Sequence, residues 1–362
     1  MAKYKIVISG YYGFRNAGDE AMLYAILRSL REFLPGAEIT VISGRPEETA
    51  CQFHTKAVPR FGGFSVLKSL LSCDLLISGG GSLLQDVTSS RSLLYYLSII
   101  FAGVLLRKKV FLYAQGIGPI RRKWVASLLS FVLSRVGAVT VRDEKSCRFL
   151  ERLGVSAPVY TTADSVFSLP AASLSEGKRI LQEAGVPHGK PIVGISVRNW
   201  LHEEEWIPHF ARYVERLQKE NVSVVFIPMQ CPEDTETARR ICRTPGKNVF
   251  FLNQSYTAPQ LMSIIGNLDV LAGMRLHALI FSALMHVPLL GISYDPKIDN
   301  FLRAIGEEAL CAITAFDEET LYNTTMESLR KGKGGRSWDA VEALREKAGT
   351  TARILEGLIR RS

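Results

Sequence analysis

Residues 191–199 read PIVGISVRN, and this stretch decides the fold because a whole pattern begins again here. Its apolar residues run on without alternating with polar ones, as a strand buried on both faces requires. YKIVISG at 4–10 has the same make-up and opens an earlier series: EITVIS (38–43), DLLISGG (74–80), KVFLYAQ (109–115), AVTVRD (138–143) and PVYTTAD (158–164). The later series continues with VSVVFIPM (222–229), NVFFLN (248–253), LDVLAG (268–273) and VPLLGIS (287–293). Helical stretches separate the runs, so each series predicts a parallel sheet with crossover helices. Two series predict two doubly wound domains.

Length agrees with that reading, since 362 residues exceed what one core usually grows to. A looser stretch at 165–191, mixing prolines, serines and glycines around one short helix, marks the join. The expected domains are 1–170 and 171–337, followed by a C-terminal helix at 338–362 that could cross back to the first.

With 47% hydrophobic and 22% charged residues the chain is globular. Its six cysteines, at 51, 73, 147, 231, 242 and 311, form no CxxC pair and stand mostly in apolar contexts, which suits reduced core residues and a cytoplasmic location. MAKYKIVISGYYG has no cleavage site after its short apolar run and reads as a first strand, not a signal peptide. The apolar segment at 92–106 falls short of the roughly 20 residues that span a bilayer. It predicts a buried helix, with an interfacial helix as the alternative.

The net charge of +9 implies attraction to polyanions, anionic lipid surfaces or phosphorylated small molecules. Nucleic acid is disfavoured, because the basic residues are spread along the chain without an aromatic-basic motif or zinc module. The cluster RKGKGGR at 330–336 reads as a solvated loop. The histidines at 54, 188, 202, 209, 277 and 286 show no HxxxH or HExxH spacing, so no metal is expected, and no GxSxG elbow is present.

Open parallel sheets bind ligands beyond the carboxyl ends of their strands, and two such domains make the cleft between them the default site. The polar oddities of this chain cluster at strand ends. GYYGFRNAGDEAML (10–23) follows the first strand, with glycines at 10, 13 and 18 that let a backbone approach a ligand and a helix start that offers N–H groups to an anion. The plainer alternative is a turn capped by Asp19. Tyr12 and Phe14 in that loop need something to pack on. SGGGSLLQD (78–86) is a second backbone-exposing turn, containing Gly80, Gly81 and Ser82, whereas AQGIGPI (114–120) reads as a structural turn. In VRDEKS (141–146) Arg142 ends a strand, with a local ion pair to Asp143 or Glu144 as the alternative, and Arg198 ends the strand of 191–199. GMRLHAL (273–279) puts Arg275 and His277 on a strand-to-helix turn, and Lys297 follows the next strand in SYDPKIDNF. Arginine, histidine and lysine on adjacent strand ends favour an anionic ligand.

GFRNAGDEA, LLISGGGSLLQD, QGIGP, VRDEKS, TADSVF and MRLHALIFSALMHVPLLGISYDPKIDNF together resemble the polysaccharide pyruvyl transferase family over about residues 4–303. The nearest likeness is to its bacterial CsaB-type members, which serve the anchoring of surface layers (S-layers) to the cell wall. The resemblance implies a GT-B-like fold of two Rossmann-like domains around a cleft. It implies transfer of the carboxyethylidene group of phosphoenolpyruvate, as co-substrate and with no cofactor, onto two hydroxyls of a sugar to give a cyclic ketal. The implied acceptor is N-acetylmannosamine in a lipid-linked cell-wall precursor. His277 is then the general acid/base, and Asp19 the candidate base for the acceptor hydroxyl. Arg275, Leu276, Lys297, Arg142 and Arg198 hold the donor, whose phosphate and carboxylate call for fixed cations. Tyr12, Phe14, Asn16, Gly80, Gly81 and Ser82 wall the pocket or meet the acceptor. The lipid carrier and the net charge together imply peripheral contact with an anionic membrane surface. A GT-B glycosyltransferase using a nucleotide sugar is the alternative reading; the oligomeric state is left open.

Overall fold

Valine, isoleucine and leucine fill both faces of the strands marked out by the sequence, and the chain forms two parallel sheets. The computed structural model describes residues 4–86, 89–243 and 246–360. In chain order the strands are β1 (Lys5–Ser9), β2 (Glu38–Ser43), β3 (Lys56–Pro59), β4 (Leu75–Ser78), β5 (Gly81–Leu84), β6 (Lys109–Ile117), β7 (Ala138–Val141), β8 (Val159–Thr161), β9 (Ile192–Ser196), β10 (Ser223–Phe226), β11 (Val249–Phe251), β12 (Val270–Gly273), β13 (Leu289–Ser293) and β14 (Cys311–Ala312). The helices are α1 (Ala17–Phe33), α2 (Pro46–Phe53), α3 (Gly63–Ser72), α4 (Ser90–Leu105), α5 (Lys123–Leu133), α6 (Glu144–Arg152), α7 (Leu174–Glu183), α8 (Glu203–Lys219), α9 (Glu233–Ile241), α10 (Ala258–Gly266), α11 (Leu276–Leu284), α12 (Pro296–Ala304), α13 (Glu318–Lys331) and α14 (Asp339–Arg360).

The chain divides into two compact units. The first comprises the residues up to Phe14, Asp19–Leu169 and the chain from Leu344 on; the second comprises Arg15–Gly18 and Pro170–Ala343. The first unit's sheet has the order β3-β2-β1-β4-β6-β7-β8, with β5 paired to β6. The second has the order β11-β10-β9-β12-β13-β14. Every described pairing within both sheets is parallel. Successive residues of a strand face opposite sides, so Val7 of β1 joins one core while Ile6 and Ile8 join another. Helices α3, α4 and α5 pack on the Val7 side; α1 and the end of α14 pack on the other. This is the two-Rossmann architecture of the GT-B fold.

Each run read as a strand holds one, and three short strands, β3, β5 and β14, were not foreseen. The glycine-rich turn at 78–86 contains β5, because Leu83 and Leu84 bury themselves against β6. The stretch expected as a loose join is firmly packed instead. Within it α7 crosses α10 so closely that Gly177 donates its N–H to Ser263 Oγ at 2.6 Å, and all of α7 lies in the second unit. The apolar segment at 92–106 is a helix whose Leu93, Tyr96, Leu97 and Ile100 are buried. No helix among the described residues is long and apolar enough to cross a membrane. All six cysteines are unbridged, with Cys51 exposed rather than in a core.

Candidate active site

Each unit carries its own polar set beyond the carboxyl ends of its strands. In the second unit β12 lies between β9 and β13, and the three strand ends deliver Arg275 and His277, Arg198, and Tyr294 with Lys297. Arg275 is the N-cap residue of α11, with extended backbone and no side-chain cap, so His277 falls in the helix's first turn. The ring of His277 lies close against the Gly18 backbone: a Cβ built on Gly18 would stand 2.0 Å from its Nδ1. Only glycine fits there. The 15–18 segment is fixed by a bond from Ala17 N–H to the Met229 carbonyl at 2.7 Å and by an antiparallel bridge between Asn16 and Gln230.

Arg275 was expected to hold a ligand, but it is buried and committed within the protein. Its Nε donates to Asp234 Oδ2 at 2.9 Å, its Nη2 donates to Asp234 Oδ1, and Nη2 also reaches Gln230 Oε1 at 3.3 Å. Asp234 further accepts the amides of Met229 and Gln230, both at 2.9 Å. Burial pushes this carboxyl up from its ordinary value, with Arg275 pulling against it. The pair therefore ties the turn after β10 to the start of α11. A buried pair of this kind is worth little net stability but costs much to break.

Arg198 and Lys297 are differently placed. The Arg198 guanidinium lies 5.0 Å from the Tyr294 ring centre and 5.2 Å from that of Trp200, and donates from Nη1 to Tyr294 Oη at 2.9 Å. Lys297 Nζ lies 5.3 Å from the same tyrosine ring and 3.8 Å from Asp295, the N-cap of α12. Tyr294 thus gathers two cations at one end of the sheet, of which Lys297 also faces the Asp295 carboxylate. Leu276 is buried rather than open to a ligand.

In the first unit Arg142 stands where β7 ends. Its closest carboxylate is not the neighbouring Asp143, at 3.9 Å, but Asp164, at 3.2 Å, and its Nη2 donates to Ser82 Oγ at 2.8 Å. Asp143 instead caps α6 through the amide of Ser146. Asn16, expected in a pocket wall, caps α1 by accepting the Gly18 amide at 3.1 Å, so the cap is not Asp19, which stands in the helix's first turn. Asp19 Oδ1 lies on Gly81, where an added Cβ would be 3.4 Å away, and Gly80 is buried under Met22.

Tyr12 does not wall an open pocket. Its ring is fully buried, and its hydroxyl would stand 1.8 Å from a Cβ at Gly79, so the glycine run serves to seat this ring. Burial holds its phenol well above the ordinary range. Phe14 stacks on Tyr11 with ring centres 4.2 Å apart and lies 5.1 Å from the Arg60 guanidinium. Two residues that the sequence reading passed over complete this region. Gln115 donates to Ser78 Oγ at 2.7 Å and to the Gly79 carbonyl at 2.8 Å, fixing the glycine turn. Glu20 accepts the Gly13 amide at 2.8 Å; burial pushes its carboxyl up to about 7, against the pull of the Gly13 and Phe14 amides. Both occur inside motifs quoted above, where nothing local set them apart from their neighbours. Asp234 had no signal at all, being 41 residues from its partner.

Among the described residues one trio, His202, Glu204 and Glu205, is close enough to share an ion. All three are exposed at the start of α8 and carry no argument.

A sequence model described as polysaccharide pyruvyl transferase matches residues 16–296. Amylovoran biosynthesis protein AmsJ of Erwinia amylovora is 20% identical over 361 residues, covering 83% of this chain and 86% of the relative. Among solved structures, the UDP-GlcNAc 2-epimerase of Methanocaldococcus jannaschii superposes with a TM-score of 0.67 at 11% identity, covering 98% of this chain and 99% of that one. Alr3699/HepE of Anabaena, solved in complex with UDP-glucose, gives 0.62 at 14% identity, covering 99% and 98%. At such identities these structures share the fold alone.

Proposed function

Because the chain belongs to the polysaccharide pyruvyl transferase family, we propose that it takes the pyruvyl group from phosphoenolpyruvate and closes it as a cyclic ketal on two hydroxyls of a sugar. The observation that carries this reading is the set at the ends of β9, β12 and β13: Arg198 and Lys297 on one tyrosine, with His277 in the first turn of an uncapped helix between them in strand order. A donor bearing phosphate and carboxylate suits two fixed cations and a helix N-terminus.

The reaction begins when an acid protonates the donor's methylene carbon, which becomes a methyl group and leaves C2 electron-poor. One sugar hydroxyl attacks C2 and loses its proton to a base. The C2–O bond to phosphate then breaks, and the second hydroxyl adds to C2 and loses its proton. One hydroxyl proton replaces the one given to carbon, and the other leaves with phosphate. His277 suits the proton transfers, since histidine changes protonation near neutral pH. Arg198 and Lys297 bind the donor, Arg275 is a positioning residue acting through Asp234, and Asp19 serves the acceptor hydroxyl. The acceptor proposed is N-acetylmannosamine in a lipid-linked cell-wall precursor, as in the CsaB-type members, which places the protein against the cytoplasmic membrane face.

The experiment is release of inorganic phosphate from phosphoenolpyruvate on addition of synthetic lipid-linked saccharides, with mass analysis of the product. A pyruvyl adduct equal to the phosphate released is expected. Nucleoside diphosphate released from a sugar nucleotide, with phosphoenolpyruvate untouched, would overturn the reading.

A further inference from the structure

The first unit shows solvent an apolar surface that its own core does not need. Helices α3, α4 and α5 bury Val66 and Leu70, Leu93 and Leu97, and Val125 and Leu129 in one core. The rest of the surface of α3 should then be polar. It carries Phe64, Leu67 and Leu71 in a stripe of helical spacing, extended by Phe61 just before the helix; Phe61 and Phe64 are 81% and 83% exposed. The neighbouring helices add exposed Leu105 at the end of α4 and Trp124 and Phe131 on α5. The three helices are tied side by side. Tyr95 Oη of α4 donates to the Arg60 carbonyl at 2.9 Å, Lys108 Nζ donates to the Leu71 carbonyl at 2.8 Å, and the Phe101 and Phe131 rings lie 6.4 Å apart.

Charge gathers in the same segment. Residues 60–135 hold ten lysines and arginines and two acidic residues, a net +8 of the chain's +9. Both acidic groups are occupied by backbone amides, Asp74 by that of Lys5 and Asp86 by those of Arg121 and Arg122. Lys68, Arg107, Arg122, Lys123 and Arg135 stand exposed among the apolar side chains.

We propose that the outer face of α3, α4 and α5 docks on an anionic lipid bilayer. Soluble monomers seldom show large apolar patches to water, and phenylalanine and tryptophan ringed by lysine and arginine are the make-up of surfaces that lie in a membrane interface. A second copy of this chain fits poorly, since two faces so strongly basic repel each other. The idea deepens the membrane location proposed above, yet it is tested without donor or acceptor, so its failure leaves the transfer reaction standing.

The test is co-sedimentation with vesicles of phosphatidylcholine alone and of phosphatidylcholine mixed with phosphatidylglycerol. Wild type should bind the anionic vesicles, with Trp124 fluorescence shifting to the blue. Raising salt should weaken binding without abolishing it, since only the charge attraction is screened. The triple variant F64S/L67S/L71S should bind about tenfold more weakly with an unchanged near-ultraviolet circular dichroism spectrum, because these side chains already face water. Phe64→Ser alone serves as a milder second variant should the triple one fold poorly. Absence of vesicle binding, binding undiminished in the variants, or a wild-type dimer made monomeric by Phe64→Ser would each overturn the proposal.

Discussion

At the scale of single residues, the seat of His277 is the sharpest feature. Its ring takes the space that any side chain at position 18 would need. Gly18→Ala should therefore displace the ring and lower turnover about a hundredfold, in the range expected for His277→Ala. If both act through one group, the double variant should lose little more than either single one. Additive losses in steady-state phosphate release would separate them. Glu20 gives a second expectation, concerning stability. Its folded carboxyl titrates near 7 and its unfolded one near 4.5, so the unfolded chain ionises first as pH rises. Stability is then full below about 4.5, falls by roughly 3 kcal/mol up to about 7 and stays level above. Glu20→Gln should flatten that fall in urea unfolding measured at several pH values. An unchanged slope would mean that Glu20 titrates normally.

At the scale of elements, the sequence marked every long strand because strands buried on both faces need unbroken apolar runs. It did not show how closely the elements approach one another. The 165–191 stretch reads as loose from its composition, yet α7 crosses α10 with Gly177 so near the Ser263 backbone that an added Cβ would lie 2.2 Å from it. Gly177→Ala should cost about 1 to 3 kcal/mol by overpacking, seen as a lowered urea midpoint. A neutral outcome would show that the two helices part easily. The outer stripe of α3 is a similar case, since a short run such as FSVLKSLLS reads as an ordinary core helix until its two sides are known.

At the scale of the whole molecule, α14 starts among residues of the second unit and ends in the first, where Leu355 is fully buried beside Ile6 and Ile8. Leu355→Ala should cost about 2 to 5 kcal/mol, and calorimetry should show the loss in the transition that carries the first unit. By itself the sequence determined two doubly wound sheets, a polar set at the strand ends and the transferase family, because burial on both faces, glycine turns and clustered motifs are properties of neighbouring residues. Tertiary structure alone decided where each cation is held: Arg275 on buried Asp234, Arg142 on Asp164, Arg198 on a tyrosine, and Lys297 between that tyrosine and Asp295. It also decided that Tyr12 is core and that α3 turns apolar side chains to water. The physical reason is distance: pairing and burial depend on groups tens of residues apart, brought together only when the strands lie side by side.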